Sequence, residues 1–209
     1  MKTFDEVPFD AIECRKQIDE LGQWLRSAGP LDERRHILPF FRARPRLSAW
    51  LGSFHPDITA PDRVAFEYDL FGDFVCDLVV GDSRSNAYSF IEFEDAKPGG
   101  VFVKKPRKSS PEWSPRFDHG FSQIIDWFWK LDDMERTAEF EARFGGPIEY
   151  NAILVIGRGL SFGNREDRRL SWRRRSVVVD NKHLNCLTYD QLHRALDLRL
   201  QGNPSTGSP

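Results

Sequence analysis

The period of apolar and polar residues changes several times along the chain, and each change marks an element. After Asp10, the positions Ala11, Cys14, Ile18, Leu21 and Leu25 recur at helical spacing. Asp10 with Glu13 forms a capping-box pattern, and Gly29-Pro30 stops the helix. Asp32 caps a short turn interrupted by Pro39, and Pro45 starts another whose Leu47, Trp50 and Leu51 run to Gly52. Residues 64–70 then alternate as a strand, with Val64, Phe66 and Tyr68 on one face and Ala65, Glu67 and Asp69 on the other. Gly72-Asp73 turns this strand into two apolar runs, 74–80 and 88–93, which flank the turn-rich GDSRSNA. That pattern predicts an antiparallel hairpin.

Ser114-Pro115 places a cap before a proline at the first helical position. Phe117, Phe121, Ile124, Ile125, Phe128 and Leu131 follow as a core stripe, and His119, Gln123, Trp127 and Lys130 form a second face. Residues 134–144 read as helical up to Gly145-Gly146, and 148–156 as a strand. Asn164 is positioned to cap an arginine-dense helix. A short strand at 184–187 leads to Thr188 and Gln191, a capping box for a closing helix with Leu192, Leu196 and Leu200. The end, 201–209, has disordered composition. The chain thus divides into a helical N-terminal segment (1–60), an α/β domain (61–200) and a tail.

With 209 residues, 40% of them hydrophobic, the chain can bury one substantial core. A net charge of −2 advertises no nucleic acid globally, so any such binding must be local. Three separated cysteines without metal or redox spacing (Cys14, Cys76, Cys186) read as reduced core residues. No apolar run reaches 18 residues and no signal-peptide pattern opens the chain, so a soluble cytoplasmic protein without membrane contact is expected.

Candidate chemistry lies on the hairpin. If its turn is centred between Arg84 and Ser85, Asp77 lies opposite Glu92, and Glu92 and Glu94 share a strand face. Three converging carboxylates raise one another's pKa or recruit a divalent metal. The alternative is a solvated face whose acids never meet, but flanking Phe74, Val79, Phe90 and Phe93 favour a strand covered on both sides. Beyond Glu94, the Gly- and Pro-rich stretch with Lys104, Lys105, Arg107 and Lys108 reads as a long mobile loop. A second basic run holds Arg165, Arg168, Arg169, Arg173, Arg174 and Arg175, with only Glu166 and Asp167 to offset it. Both runs suit phosphate contact. Gln123 beside an apolar stripe invites a backbone or water partner. His36, His55 and His119 read as packing or surface residues, and Arg34, Arg35, Arg42, Arg44 and Arg46 as a solvated face. The first sixty residues look like packing or an oligomer contact more than chemistry.

The order α-β-β-β-α-β, with Asp77 on its second strand and Glu92-Phe93-Glu94 on its third, resembles the PD-(D/E)xK nuclease superfamily. The stretches IEFEDAKP, PEWSPRFDHGFSQIIDWFWKLDD and LTYDQL are similar to the nuclease domain of the Shedu anti-phage defence family. This resemblance implies a restriction-endonuclease-like mixed sheet flanked by helices and a DNA endonuclease dependent on Mg²⁺ or Mn²⁺. It also implies a homo-oligomer, a tetramer or dimer. Asp77 and Glu92 would bind metal, and Gln123 would sit near the attacking water or a phosphate oxygen. Glu94 departs from the pattern, since a lysine normally ends the motif; either Glu94 acts as ligand or base, or Lys97 lends the missing cation. Lys104, Lys105, Arg165, Arg168, Arg169 and Arg173 would contact DNA. The competing functions are a nucleic-acid-end sensor that does not cut and an assembly scaffold that binds no metal.

Overall fold

The computed structural model describes residues 3–159 and 162–202. The proposed tail therefore lies outside the described residues from 203 onward. Its first elements are β1 (Asp5–Glu6), α1 (Ala11–Ser27), a π-helical turn (Glu33–Ile37), α2 (Leu38–Arg42), α3 (Pro45–Trp50) and a 3₁₀ turn (Leu51–Phe54). The strands β2 (Arg63–Leu70), β3 (Phe74–Asp82) and β4 (Ala87–Phe93) follow. A small pair, β5 (Phe102–Val103) and β6 (Glu112–Trp113), precedes α4 (Pro115–Met134) and α5 (Ala138–Phe144). The chain closes with β7 (Glu149–Val155), α6 (Asn164–Ser176), β8 (Val178–Val179), β9 (Lys182–Leu187) and α7 (Tyr189–Gln201).

Seven strands form one mixed sheet in the order β1-β2-β3-β4-β7-β9-β8. β1 to β4 are antiparallel neighbours, whereas β7 joins β4 in parallel and β9 joins β7 in parallel. A parallel neighbour needs a crossover, and α4 with α5 supplies it between β4 and β7. The α/β class and the α-β-β-β-α-β order are as the sequence pattern predicts.

The sheet is covered on both faces. One core layer joins Ile18, Leu21, Phe41 and Trp50 to Leu78, Val80, Ile91 and Phe93 of the sheet and to Leu192 and Leu196 of α7. The other joins Val79, Tyr88 and Phe90 to Phe117, Ile124, Trp127 and Phe128 of α4, with Phe140 of α5 and Leu170 of α6. All seven residues of β4 are buried, which follows from its central place between two helical layers. Each such buried aromatic or branched side chain contributes roughly 1.5–3 kcal/mol.

Three helix caps act where the sequence places them. Asp10 accepts from the amides of Ile12 and Glu13, Ser114 from Phe117, and Thr188 with Gln191 forms a complete capping box. The three cysteines are free and buried. Among the described residues no helix is long and apolar enough to cross a membrane.

Several local expectations are corrected. Tyr68 faces the α4 layer while Val64 and Phe66 face the other, because Glu67 at φ +47° breaks the strand's alternation. Pro39 lies in the first turn of α2 and interrupts nothing, since a first-turn proline loses no helical hydrogen bond. Ile125 is 36% exposed at the rim of its stripe, whereas Trp127 of the second face is fully buried. Asn164 is the first residue of α6, and Gly163 takes the cap position. The basic stretch after Glu94 is folded back through the β5–β6 pair, with Lys105 and Lys108 both bridged to Glu112.

Candidate active site

The hairpin register decides what the acids can do. Leu78 pairs with Ile91, Val79 with Phe90 and Val80 with Ser89, so one further step puts Asp77 opposite Glu92. The backbone ladder stops there, and the Asp77 carboxylate takes over: its Oδ2 accepts from the Phe93 amide at 2.8 Å. On the other side, the Glu94 amide donates to the Val155 carbonyl at 2.9 Å, extending the parallel pairing one residue past β4. The Glu94 carbonyl accepts from the hydroxyl of fully buried Tyr189 at 2.7 Å. Both glutamates are thereby held at the carboxyl ends of parallel strands, where open α/β sheets place ligands.

A cleft of about 1160 Å³ opens over this point. The hairpin contributes Asp77, Glu92 and Glu94, and α4 contributes Arg116, His119 and Gln123. The opposite wall comes from the N-terminal segment, with Glu33, Arg34, Leu38, Pro39 and Arg42. Leu31 and Ala96 exchange backbone hydrogen bonds of 3.2 and 2.9 Å, which staples that segment to the strand exit. The Glu33 amide donates to Asp95 at 2.9 Å, fixing its position at the rim.

Charge is concentrated and poorly solvated in this cleft. Burial, followed by the neighbouring Asp77, Glu94 and Glu33 carboxylates, drives the Glu92 pKa far above the usual range. Burial also raises Asp77, although the Phe93 amide opposes the shift. Glu94 is pushed up to about 7 by burial, against the opposing pull of Arg116. Arg116 Nε donates to Glu94 Oε2, its Nη2 lies 2.8 Å from Glu33 Oε2 and 3.7 Å from Asp95 Oδ1. Gly120 lets α4 come this close, since a Cβ there would lie 2.8 Å from Leu154 Cδ1 and 3.3 Å from Glu94 Oε1.

Two features bear on a metal. Asp77 and Glu92 supply hard carboxylate oxygens of the kind Mg²⁺ and Mn²⁺ take, and the charged form of Glu92 is disfavoured by burial and then by Asp77. Gln123 Oε1 is buried with no partner among the described residues, an acceptor left for water or ligand. With Glu94 turned to Arg116, however, no group of three or more His, Cys, Asp or Glu side chains among the described residues is assembled to hold an ion. The donor chemistry fits a hard cation at Asp77 and Glu92, and Glu94 is held apart by its guanidinium partner.

Residues 31–193 match the family model described as Shedu protein SduA, C-terminal. The chain belongs to the Shedu family. No curated protein matches it. The matched segment of this Shedu chain takes in Glu33, Asp77, Glu92, Glu94, Arg116 and Gln123, and membership suggests a role in anti-phage defence.

The remaining candidate residues of this Shedu chain fall outside the cleft. Lys97 Nζ lies 2.6 Å from Asp95 and 3.6 Å from Asp32, and it is not among the lining residues. Lys105 is bridged to Glu112 at 2.5 Å; Lys104 is exposed beside it. Arg169 stacks over Phe102 and Trp113 and pins α6 to the β5–β6 pair, and Arg173 stacks over Trp113, Phe117 and Phe121 and pins α6 to α4. Arg165 and Arg168 are exposed.

Arg116 and Glu33 of the cleft escaped the sequence reading, His119 was read as structural, and Arg34 and Arg42, read as a solvated face, line the cleft wall. Arg116 lies three residues before His119 and seven before Gln123, so extending that polar helical face by one turn points to it. Glu33 carries no comparable signal, because it sits 44 residues before Asp77 in a segment that otherwise looks like packing. His119 lines the cleft as the α4 spacing allows.

Proposed function

We propose that this Shedu-family chain is a metal-dependent DNA endonuclease acting in anti-phage defence, with the Asp77–Glu92 cleft as its active site. The observation that carries this reading is the meeting in one cleft of Asp77, Glu92, Glu94 and Gln123, whose Oε1 has no partner among the described residues, in a chain whose family model spans them all. Asp77 and Glu92 would hold Mg²⁺ or Mn²⁺. When bound, the ion supplies positive charge that acidifies water and stabilises charge on the scissile phosphate. Gln123 accepts a hydrogen bond from the attacking water and sets its direction. Glu94, with a pKa of about 7, takes the water's proton as its oxygen bonds to phosphorus. The phosphorus–oxygen ester bond breaks, and the proton held on Glu94 passes through solvent to the leaving oxygen, giving a phosphomonoester and a hydroxyl. Arg116 delivers, from α4, the cation that the strand motif lacks, and its guanidinium suits the non-bridging phosphate oxygens. Lys104, Arg165 and Arg168 remain available for the flanking DNA backbone, and a homodimer or tetramer would set how many clefts one DNA meets.

A second function is favoured by one observation: Arg116 holds Glu94 out of any three-acid cluster. In that form the cleft would bind DNA ends without cutting. Supercoiled, nicked and linear DNA incubated with Mg²⁺, Mn²⁺ or chelator separates the two. Cutting that needs metal supports the endonuclease, whereas retarded but intact DNA under every condition supports the sensor.

A further inference from the structure

The arginines of α6 divide into two sets. Arg169 and Arg173 fold inward onto aromatic rings. Arg165, Arg168, Trp172 and Arg175 recur at three-, four- and three-residue steps, which puts them on one helical face, opposite buried Leu170. All four are exposed, Trp172 by 61%. Among the described residues, none of these three arginines has a hydrogen bond or ion pair, although carboxylates are abundant in the chain. The helix carries six arginines against Glu166 and Asp167, a net +4 in a chain of net −2. An arginine row kept free of carboxylates, with a large aromatic face turned to solvent at its middle, is unlike a solvated salt-bridged helix. It has the two parts of a single-strand platform: cations that follow a phosphate backbone and a ring on which an unpaired base stacks. Duplex bases are already stacked and offer Trp172 no face, so the ring discriminates where the arginines cannot.

We infer that the outer face of α6 binds single-stranded nucleic acid, with a base on Trp172 and phosphates on Arg165, Arg168 and Arg175. This rests on the nucleic-acid reading of the cleft and adds the strand form that the protein holds beside it.

The test is fluorescence anisotropy with the full chain on labelled 20-nucleotide DNA, RNA and duplex DNA between 50 and 200 mM salt. Trp172→Ala is expected to weaken single-strand binding by about fivefold to a hundredfold, to leave duplex binding unchanged and to keep the salt slope. Trp172→Phe should retain most of the affinity. Replacing Arg165, Arg168 and Arg175 with Gln should flatten the single-strand salt slope by about two, at roughly 0.7 per phosphate contact. The DNA and RNA arms show which strand is preferred. Unchanged single-strand binding by Trp172→Ala, equal loss on single strand and duplex, or Trp172-dependent binding to phosphatidylserine vesicles without oligonucleotide binding would each overturn the inference. Plasmid cleavage keeps the two readings apart. A Trp172→Ala protein that cuts normally and binds single strands normally defeats the α6 assignment alone. An Asp77→Asn protein that cuts normally defeats the cleft assignment alone.

Discussion

Arg116 in the first turn of α4 donates its Nε hydrogen to Glu94 at the end of the central strand, so the cleft's cation and its departed motif position are one paired unit. Glu94 stands where the motif that this strand resembles ends in lysine, so the strand end brings no positive charge of its own. The helix opposite supplies one, and the same guanidinium reaches Glu33 from the N-terminal segment.

Replacing Arg116 with Ala is accordingly expected to lower metal-dependent cleavage by about 10²–10³-fold, the range for losing one preorganised charge-stabilising donor. Lys97→Ala should stay within a few-fold of wild type, because Lys97 serves Asp95 and Asp32 outside the cleft. Cleavage rates of the two variants at saturating Mg²⁺ decide between them, and the reverse order would restore Lys97 as the motif cation.

Asp77→Asn should abolish cleavage while the protein folds, since the amide can still accept the Phe93 hydrogen bond but cannot share a cation's charge. Isothermal titration with Mn²⁺ provides a readout independent of turnover, and affinity should fall at least about tenfold. Unaltered Mn²⁺ binding would remove Asp77 from the site.

The acidic cleft makes a signed prediction for pH. Asp77, Glu92 and Glu94 all have pKa values raised in the folded protein, so the native state binds more protons than the unfolded chain above pH 4 or so. Stability held below the ordinary carboxylate range is lost as pH rises toward about 7, where Glu94 titrates. Metal-free protein should therefore lose Tm between pH 5 and pH 8 by more than the Asp77→Asn variant does, and Mg²⁺ should restore more at pH 8 than at pH 6. Parallel Tm curves for wild type and variant would show that these acids are not destabilised by folding.

Gly120→Ala tests the approach of α4 to the strand end. A Cβ at 2.8 Å from Leu154 and 3.3 Å from Glu94 must push one of them aside, which typically costs about 1–3 kcal/mol. Urea unfolding should show that loss, with cleavage reduced further because Glu94 and Arg116 are displaced together. Wild-type stability would mean that α4 can move away at little cost.

The hairpin, its register and the two acids that face each other across it were legible in the sequence, because side-chain direction in a strand has a period of two and a tight turn sets the pairing. The caps at Asp10, Ser114 and Thr188 and the α4 core stripe were legible for a similar reason: each depends on neighbours within one or two turns. Lys97 likewise reads in sequence as lying past the strand, on its exit and off the shared face of Glu92 and Glu94, but its partners were not legible. Its distance from Glu94 along the chain is only three residues, yet the exit of the strand turns it toward Asp95 and Asp32. The arginines of α6 looked alike in sequence, and only the packing of Trp113, Phe117 and Phe121 against that helix drew Arg169 and Arg173 inward. Glu33 and Arg116 belong to the site through long-range contacts, a backbone bridge from Leu31 to Ala96 and a helix brought close by Gly120. Local periodicity determines which way a side chain points from its own element; which elements meet is decided by burial of their apolar faces, and in this chain that burial carried one acid and one cation into the cleft.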